Sequence, residues 1–308
     1  MTYITYIPNK HQIGGLGHCF VDYLTAVIIS EIYTDVEFVH KPLIVANQTR
    51  NMLVDNSTSF NWNEYLNLQL LGINDNLDLQ YNQIQSPNKY WENVNIIDFK
   101  KNLLPNKINY LVNNNRIRIF DLYNYELNNL VPKNTTKHLI MKLKNNFYLK
   151  HKRTNKIKKL FNIYLRRGDF EKFQKSTFND PFIIDTFDVI NKLIKINNYD
   201  YTINVISAGT SKQMYAIKNQ FKSLDVNFVL NECEKEVFYL MTQSDILLFY
   251  DSTFPLTASL FCDGLIIKKR NDGYVIKSVK NKDMKFLDNY IITDKLDDED
   301  VGKISDYL

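Results

Sequence analysis

Four short apolar segments in the second half of the chain decide its fold: YTINVIS at 201–207, VNFVL at 226–230, DILLFY at 245–250 and GLIIKK at 264–269. Stretches with helical periodicity separate these segments, and they lie at 210–221, 233–243 and 252–262. Continuous apolar runs are typical of strands that are buried on both faces of a parallel sheet. The second half is therefore predicted to be α/β, with helices covering the sheet.

The same pattern continues on both sides of these segments. Upstream, FNIYL at 161–165 predicts another strand, and an amphipathic helix is predicted at 182–196. Downstream, LDDEDVGKISDYL at 296–308 predicts a short helix with a solvated acidic start. In a two-domain α/β enzyme such a terminal helix would cross back to the first domain.

The opening of the chain also reads strand, loop, helix, strand. TYITYI at 2–7 and VEFVH at 36–40 are rich in β-branched and aromatic residues, which favours strands. A Gly-rich loop at 13–17 and an apolar-periodic stretch at 18–32 lie between them. This order predicts a βαβ unit.

The rest of the first half is harder to interpret. NIIDF at 95–99 and RIRIF at 116–120 predict further strands, and a helix is predicted over 135–150. Residues 41–94 are rich in Asn and weakly patterned, and we expect this region to shape a substrate site.

Taken together, these elements predict two Rossmann-like domains that face a cleft, one over 1–155 and the other over 156–308. The densest basic run, KHKRTNKIKK at 150–159, lies at their junction. It is either a solvated linker or a basic rim that attracts an anionic substrate.

Composition excludes several classes of protein. The chain has 308 residues, of which 44% are hydrophobic and 23% are charged, as in an ordinary folded protein. A net charge of +4 is too weak to predict nucleic-acid binding. The chain has 3 Cys residues, an odd number at wide spacing, which excludes a disulfide framework and zinc-binding spacing. The 38 Asn against 5 Ala indicate an AT-rich genome, as in some bacteria, protists and large DNA viruses.

Neither a targeting segment nor a membrane span is predicted. MTYITYIPN at the start has no basic region before an apolar one. The longest apolar run, at 19–33, is interrupted by Asp22 and Glu31. We therefore expect a cytoplasmic protein.

Two arginines follow the first strand of the second domain. Arg166, Arg167, Gly168 and Asp169 come directly after FNIYL, and ligands in such sheets bind at the carboxyl ends of strands. Guanidinium groups match phosphate oxygens in a bidentate way, and Gly168 lets the backbone approach a ligand. The arginines therefore predict a phosphate site in which Asp169 holds one arginine in place. The alternative is a surface Arg–Asp pair on a loop with no ligand.

Small and capping residues follow two further strands. The segment YTINVIS ends at Ser207, and Ala208 and Gly209 follow it. After DILLFY come Asp251, Ser252 and Thr253, which open a helix. Free N–H groups at such turns favour anions. The alternative is that these residues only cap helices.

The Gly-rich loop of the first half is Gly14-Gly15-Leu16-Gly17-His18. It lacks the third Gly of a dinucleotide-binding loop and the Lys of a P-loop. His18 stands at the start of the following helix, where it either faces the reaction centre or has no chemical role.

In order, the pieces resemble motifs of the fucosyltransferase superfamily of GT-B glycosyltransferases. The closest subgroup looks like the α1,2-fucosyltransferases that have Arg-Arg-Gly-Asp. The match covers about a third of the chain and comprises GGLGHCF (14–20), YLRRGDF (164–170), ISAG (206–209), EVFYLMTQSDILLF (236–249) and YDSTFPLTASLF (250–261).

The resemblance implies an inverting transfer of fucose from GDP-fucose to a glycan hydroxyl without a metal or other cofactor. It makes 1–155 the acceptor side and 156–308 the nucleotide-sugar side. His18 would be the base, with Asp22 and Asp35 as competing carboxylates, and Arg166 would act on the leaving diphosphate. The implied donor-binding residues are Gly15, Gly17, Arg166, Arg167, Asp169, Ser207, Gly209, Asp251, Ser252 and Thr253.

The sequence also departs from the family pattern. Tyr164 stands where the family has His, and Ala208-Gly209 stand where it has Asp-Asp. In relatives, that His and one of the acidic residues help to read guanine. A different nucleotide sugar, or a non-catalytic carbohydrate-binding descendant, therefore stays open. A nucleotide-dependent oxidoreductase is disfavoured because the glycine pattern is broken and no acidic residue ends VEFVH.

Overall fold

The structure is a computed structural model. It describes residues 1–7, 15–43, 45, 60–74, 76–84, 100–111, 122, 126, 129–152, 158–165, 181–208, 212, 215, 218–219, 226–250, 252–269, 289–293 and 295–308. The described residues form two compact units, and the chain passes to the second unit after Lys152.

The first unit contains a five-stranded parallel sheet with the order β3-β2-β1-β5-β4. Two short 3-10 helices, Leu68–Leu71 and Lys100–Asn102, join its elements. The strands are β1 (Thr2–Tyr6), β2 (Val36–His40), β3 (Ile73–Asn74), β4 (Tyr81–Ile84) and β5 (Ile108–Leu111), and the helices are α1 (Leu16–Ile32), α2 (Trp62–Tyr65) and α3 (Thr135–Lys150).

The predicted βαβ opening is confirmed, and so is the helix over 135–150. The strands predicted at 95–99 and 116–120 lie outside the described residues. The sequence missed β3, β4 and β5 because they lack an apolar run. In the edge strand β4, for example, only Ile84 is buried.

A buried asparagine joins β5 to its surroundings. Asn109 Nδ2 lies 3.0 Å from the carbonyl oxygens of both Tyr3 and Leu104. Its Oδ1 accepts from the Leu104 amide at 2.9 Å and from Asn82 Nδ2 at 2.8 Å. The residue is fully buried, so these bonds satisfy polar groups that water does not reach.

We expect Asn109→Ala to lower the free energy of unfolding by about 2 kcal/mol or more, because it removes the side chain that joins these groups. The exposed Asn76 offers a matched control, and Asn76→Ala should change stability by less than about 0.5 kcal/mol. Urea denaturation of the three proteins measures the difference. Equal stabilities for the two variants would contradict the structural role of Asn109.

The second unit contains a six-stranded parallel sheet with the order β8-β7-β6-β9-β10-β11. The strands are β6 (Lys159–Leu165), β7 (Tyr201–Ser207), β8 (Asn227–Leu230), β9 (Ile246–Phe249), β10 (Leu265–Lys269) and β11 (Tyr290–Thr293). The helices are α4 (Pro181–Ile196), α5 (Glu234–Thr242), α6 (Thr253–Ser259) and α7 (Asp298–Tyr307).

Both faces of this sheet are covered. On one face, Phe187 of α4 stacks on Phe161 of β6, with ring centroids 5.9 Å apart. On the other face, Asn162 Nδ2 donates to the carbonyl of Leu240 in α5 at 2.9 Å. All four residues of β9 are buried. The prediction of an α/β fold with two Rossmann-like parallel sheets is confirmed.

The terminal helix α7 belongs to the second unit, so the expectation that it crosses back to the first domain is wrong. Ile304 and Leu308 are part of the core beside α4. Lys159 Nζ donates to the Leu308 carbonyl at 2.7 Å, and the Tyr307 hydroxyl donates to the Asp263 carbonyl at 3.1 Å. The apolar face of α7 is therefore packed within its own unit.

Candidate active site

The order of strands in the second sheet locates a candidate ligand site. Numbered along the unit, its strands follow the order 3-2-1-4-5-6, and the order reverses between β6 and β9. Ligands of such sheets bind outside the carboxyl ends of the strands at this reversal. Tyr164 and Phe249 pair across it, so β6 and β9 end side by side.

The segments that the sequence singled out follow these two strands. Arg166 comes directly after Leu165, the last residue of β6, and Ser252 stands three residues after Phe249, the last residue of β9. Sequence reasoning selected the two segments separately, and the sheet puts the strands that lead into them next to each other. The predicted residues Arg166, Arg167, Asp169, Gly209 and Asp251 themselves lie outside the described residues.

Ser207 ties together the ends of two strands. It is buried, and its hydroxyl donates to the Leu165 carbonyl at 2.7 Å. Its own carbonyl accepts from the Asn231 amide at 3.0 Å. The hydroxyl is thus used to fix the end of β6, immediately before Arg166. Contact between Ser207 and a donor stays a prediction.

Ser252 occupies the N-cap position of α6, but its side chain does not cap the helix. The residue is buried with an extended backbone, and its carbonyl accepts from the Leu256 amide at 3.3 Å. The Thr253 carbonyl accepts from the Thr257 hydroxyl at 2.8 Å. The sequence-based expectation of a Ser252 side-chain cap is therefore wrong, whereas the predicted start of the helix is confirmed to within one residue.

Aromatic packing and a buried lysine surround this edge of the sheet. The ring of Tyr164 lies 6.1 Å from that of Phe254 in α6. Lys268 of β10 pairs with Phe249 and is only 1% exposed. A buried ammonium requires a partner, and Lys268 has one. Sequence reasoning overlooked it, although a lysine within the apolar GLIIKK segment was a usable signal.

The Gly-rich loop of the first unit leads to the corresponding place in its own sheet. The strand order reverses between β1 and β5, and the chain leaves β1 at Tyr6 and re-enters the described part at Gly15, the N-cap of α1. Gly17 is buried in the first turn. His18 has a helical backbone in that turn, and its side chain lies outside the described part.

Asp35 lies at the other edge of the first sheet. It precedes β2, and its Oδ1 forms an ion pair with Lys100 Nζ at 2.8 Å. The hydrogen bond from Lys100 lowers the pKa of the carboxyl group. Since the Gly-rich loop follows the carboxyl end of β1, Asp35 is at the wrong end of the sheet to compete with His18 as a base.

A histidine that the sequence analysis did not consider ends β2. His40 Nδ1 lies 2.9 Å from the Tyr23 hydroxyl, and the two rings meet edge to face at 5.9 Å. Tyr23 is fully buried in α1, and its hydroxyl donates to the Leu68 carbonyl at 3.2 Å. Burial lowers the pKa of His40 and raises that of Tyr23.

The lowered pKa of His40 predicts a pH dependence of stability. The unfolded chain binds this proton with a pKa of about 6.5, and the folded chain binds it only at lower pH. This contribution to the free energy of unfolding is therefore fully present above pH 6.5 and is lost as the pH falls below it. His40→Gln should show a weaker loss of stability on acidification than the wild type, as measured by urea denaturation at a series of pH values. Parallel curves for the two proteins would contradict the assignment.

No group of three or more His, Cys, Asp or Glu residues in the described part of the chain could hold a metal ion. None of the described helices has the length and apolar character needed to cross a bilayer.

Comparison with known families gives no match, and no curated protein matches the chain. Among solved structures, the chain is similar to a mutant of FUT1 from Arabidopsis thaliana in complex with GDP, with 13% identity and a TM-score of 0.39 over 87% of this chain and 70% of that chain. It is also similar to a family 9 glycosyl transferase from Veillonella parvula, with 11% identity and a TM-score of 0.38 over 94% of this chain and 85% of that chain. At such scores neither similarity identifies a reaction.

Proposed function

We propose that the chain is a GT-B glycosyltransferase that transfers a sugar from a nucleotide donor to a glycan hydroxyl with inversion, and that the donor is GDP-fucose. The observation that carries the proposal is the reversal of strand order between β6 and β9. It brings together the strands that precede the Arg166 and Ser252 segments, at the edge where α/β sheets bind nucleotides.

The proposed chemistry divides between the two units. In the second unit, Arg166 and Arg167 bind the diphosphate and stabilise the negative charge that develops as the sugar departs. Asp169 braces the arginines, while Gly209, Asp251 and Thr253 complete the donor site. In the first unit, Gly15 and Gly17 shape the loop, and a base takes the proton of the acceptor hydroxyl.

The hydrogen bond of Ser207 supports this use of Arg166. By holding the Leu165 carbonyl at 2.7 Å, it fixes the end of β6 before the arginines begin. A fixed starting point limits the positions that Arg166 can reach, and pre-organised charges stabilise a transition state without the cost of reorganisation. Ser207 therefore serves the donor site through the backbone.

A panel of GDP, UDP and dTDP tests the donor assignment by thermal shift. GDP should raise the Tm of the wild type, and Arg166→Ala should reduce the shift and slow transfer on the order of a hundredfold, because it removes a charge-assisted contact worth roughly 3 kcal/mol. Lys192→Ala removes the same charge from an exposed site on α4 and should behave as the wild type.

The outcomes of this panel are distinct. A thermal shift with UDP or dTDP alone would support a transferase that uses a different nucleotide donor. Tyr164 and Ala208-Gly209, which depart from the family pattern, are compatible with that outcome. No shift with any nucleotide would favour a non-catalytic carbohydrate-binding protein. Normal donor affinity and transfer in Arg166→Ala would contradict the diphosphate assignment.

Transfer should persist in excess chelator, because the arginines supply the positive charge that a metal supplies in other transferases. The measurement is the initial rate with EDTA, compared with the rate in added magnesium or manganese. Rates within about twofold of each other are expected. Complete loss in chelator with recovery on adding the metal would contradict the metal-independent mechanism.

A further inference from the structure

The helix α3 of the first unit carries basic and apolar side chains on its outer side. Its inner side is packed, because Leu139, Leu143 and Phe147 are buried. The outer side has a row of residues at the helical spacing i, i+4, i+7 and i+11, and they are Lys137, Met141, Lys144 and Tyr148. This row and the neighbouring Leu149 form the α3 face.

Two apolar side chains of the α3 face are open to solvent. Met141 is 49% exposed and Leu149 is 74% exposed. Single exposed apolar residues are common on proteins. Here, however, both belong to one helix whose charged residues all have the same sign. A basic helix that also exposes apolar side chains is typical of proteins that bind to the surface of a membrane.

The α3 face lies in a stretch of the chain without negative charge. No Asp or Glu occurs between Leu127 and Gly168. The part of this stretch at 129–152 contains six lysines, namely Lys133, Lys137, Lys142, Lys144, Lys150 and Lys152. The helix α4 of the second unit differs, because its exposed charged residues have both signs and are Asp185, Asp188, Lys192 and Lys195. A single sign of charge is thus not shared by α4.

Carboxylates of neighbouring elements approach the ends and one side of α3. Glu31 of α1 lies 2.8 Å from Lys142, and Glu64 of α2 lies 3.6 Å from Lys150. Both lysines lie outside the α3 face. The carboxylate of Glu126 accepts from the amide of the residue before α3 at 3.1 Å. The lysines outnumber these carboxylates, so the surface around α3 is complementary to an anionic partner.

We propose that the α3 face binds the surface of a membrane that contains anionic lipids. Leu149 and Met141 enter the boundary between headgroups and acyl chains, while Lys137 and Lys144 stay among the lipid phosphates. A nucleic acid would use the lysines but not the exposed leucine, and a second copy of the chain would bring the same positive charge. This binding needs no nucleotide sugar, so it goes beyond the proposed transfer and is tested separately from it.

The test is sedimentation of the full chain with lipid vesicles. Wild type should bind phosphatidylcholine vesicles with about 30% phosphatidylserine and bind much less to phosphatidylcholine alone. Binding should weaken as the salt concentration rises from about 0.05 to 0.5 M, because salt screens the lysines. The double variant Lys137→Ala/Leu149→Gln should bind the anionic vesicles at least about tenfold more weakly.

The matched control is Lys195→Ala/Ile196→Gln, which changes an exposed lysine and an isoleucine that is 79% exposed on α4. It should bind as the wild type does, and both double variants should keep the wild-type Tm because the changed side chains are exposed.

Several results would overturn the proposal. They are no sedimentation of the wild type with anionic vesicles, equal binding to neutral vesicles, and equal losses in the two double variants. Light scattering and a single-stranded RNA titration test the other occupants of the α3 face. A wild-type dimer that Lys137→Ala/Leu149→Gln dissociates would make the face an interface between copies. An effect of this variant on RNA binding alone would make the face an RNA site, and either result would refute the membrane assignment.

Discussion

The parallel pairing of β6 with both β7 and β9 is the constraint on which the candidate site depends. Parallel strands all end at one edge, so chain segments far apart in sequence meet there. Leu165 and Phe249 are 84 positions apart, yet β6 and β9 are neighbours with Tyr164 opposite Phe249. The Ser207 hydroxyl adds a third strand to this edge through the Leu165 carbonyl. The arginine segment thus begins from a point held by three strands.

The abundant asparagine has a structural use inside both sheets. Asn162 of β6 accepts from Asn204 of β7 at 2.7 Å and donates to Ser244 at 2.8 Å, all three residues being buried. Asn109 plays a comparable part in the first sheet. Asn109 and Asn162 are tolerated in the interior because their side chains are hydrogen-bonded, since an unpaired buried amide is costly.

Prediction from the sequence succeeded where the chemistry of single segments was decisive. The strands β6 to β10 of the second unit were predicted because they are largely apolar, and all four residues of β9 are buried. The strand β11 was missed. The strands β3, β4 and β5 were missed because their pairing depends on long-range partners, such as the hydrogen bond between Asn82 and Asn109. The meeting of β6 and β9 was equally out of reach, since strand order is a property of the whole sheet. The placement of α7 failed for the same reason, because Ile304 packs on a core made by other elements.

The surroundings of Asp35 and His40 at the two ends of β2 determine which protonation state of each side chain is stabilised. Asp35 directly precedes β2 and His40 is the last residue of β2, so they stand at opposite ends of the strand. Asp35 is exposed and held by Lys100, an arrangement that stabilises its charged form and weakens it as a base. His40 is half-buried, and this burial lowers its pKa and stabilises the neutral form, while its Nδ1 lies 2.9 Å from the Tyr23 hydroxyl. A motif search selects His18 because it belongs to the Gly-rich loop. The pair of Tyr23 and His40 is invisible to such a search, since it forms only when α1 packs on β2.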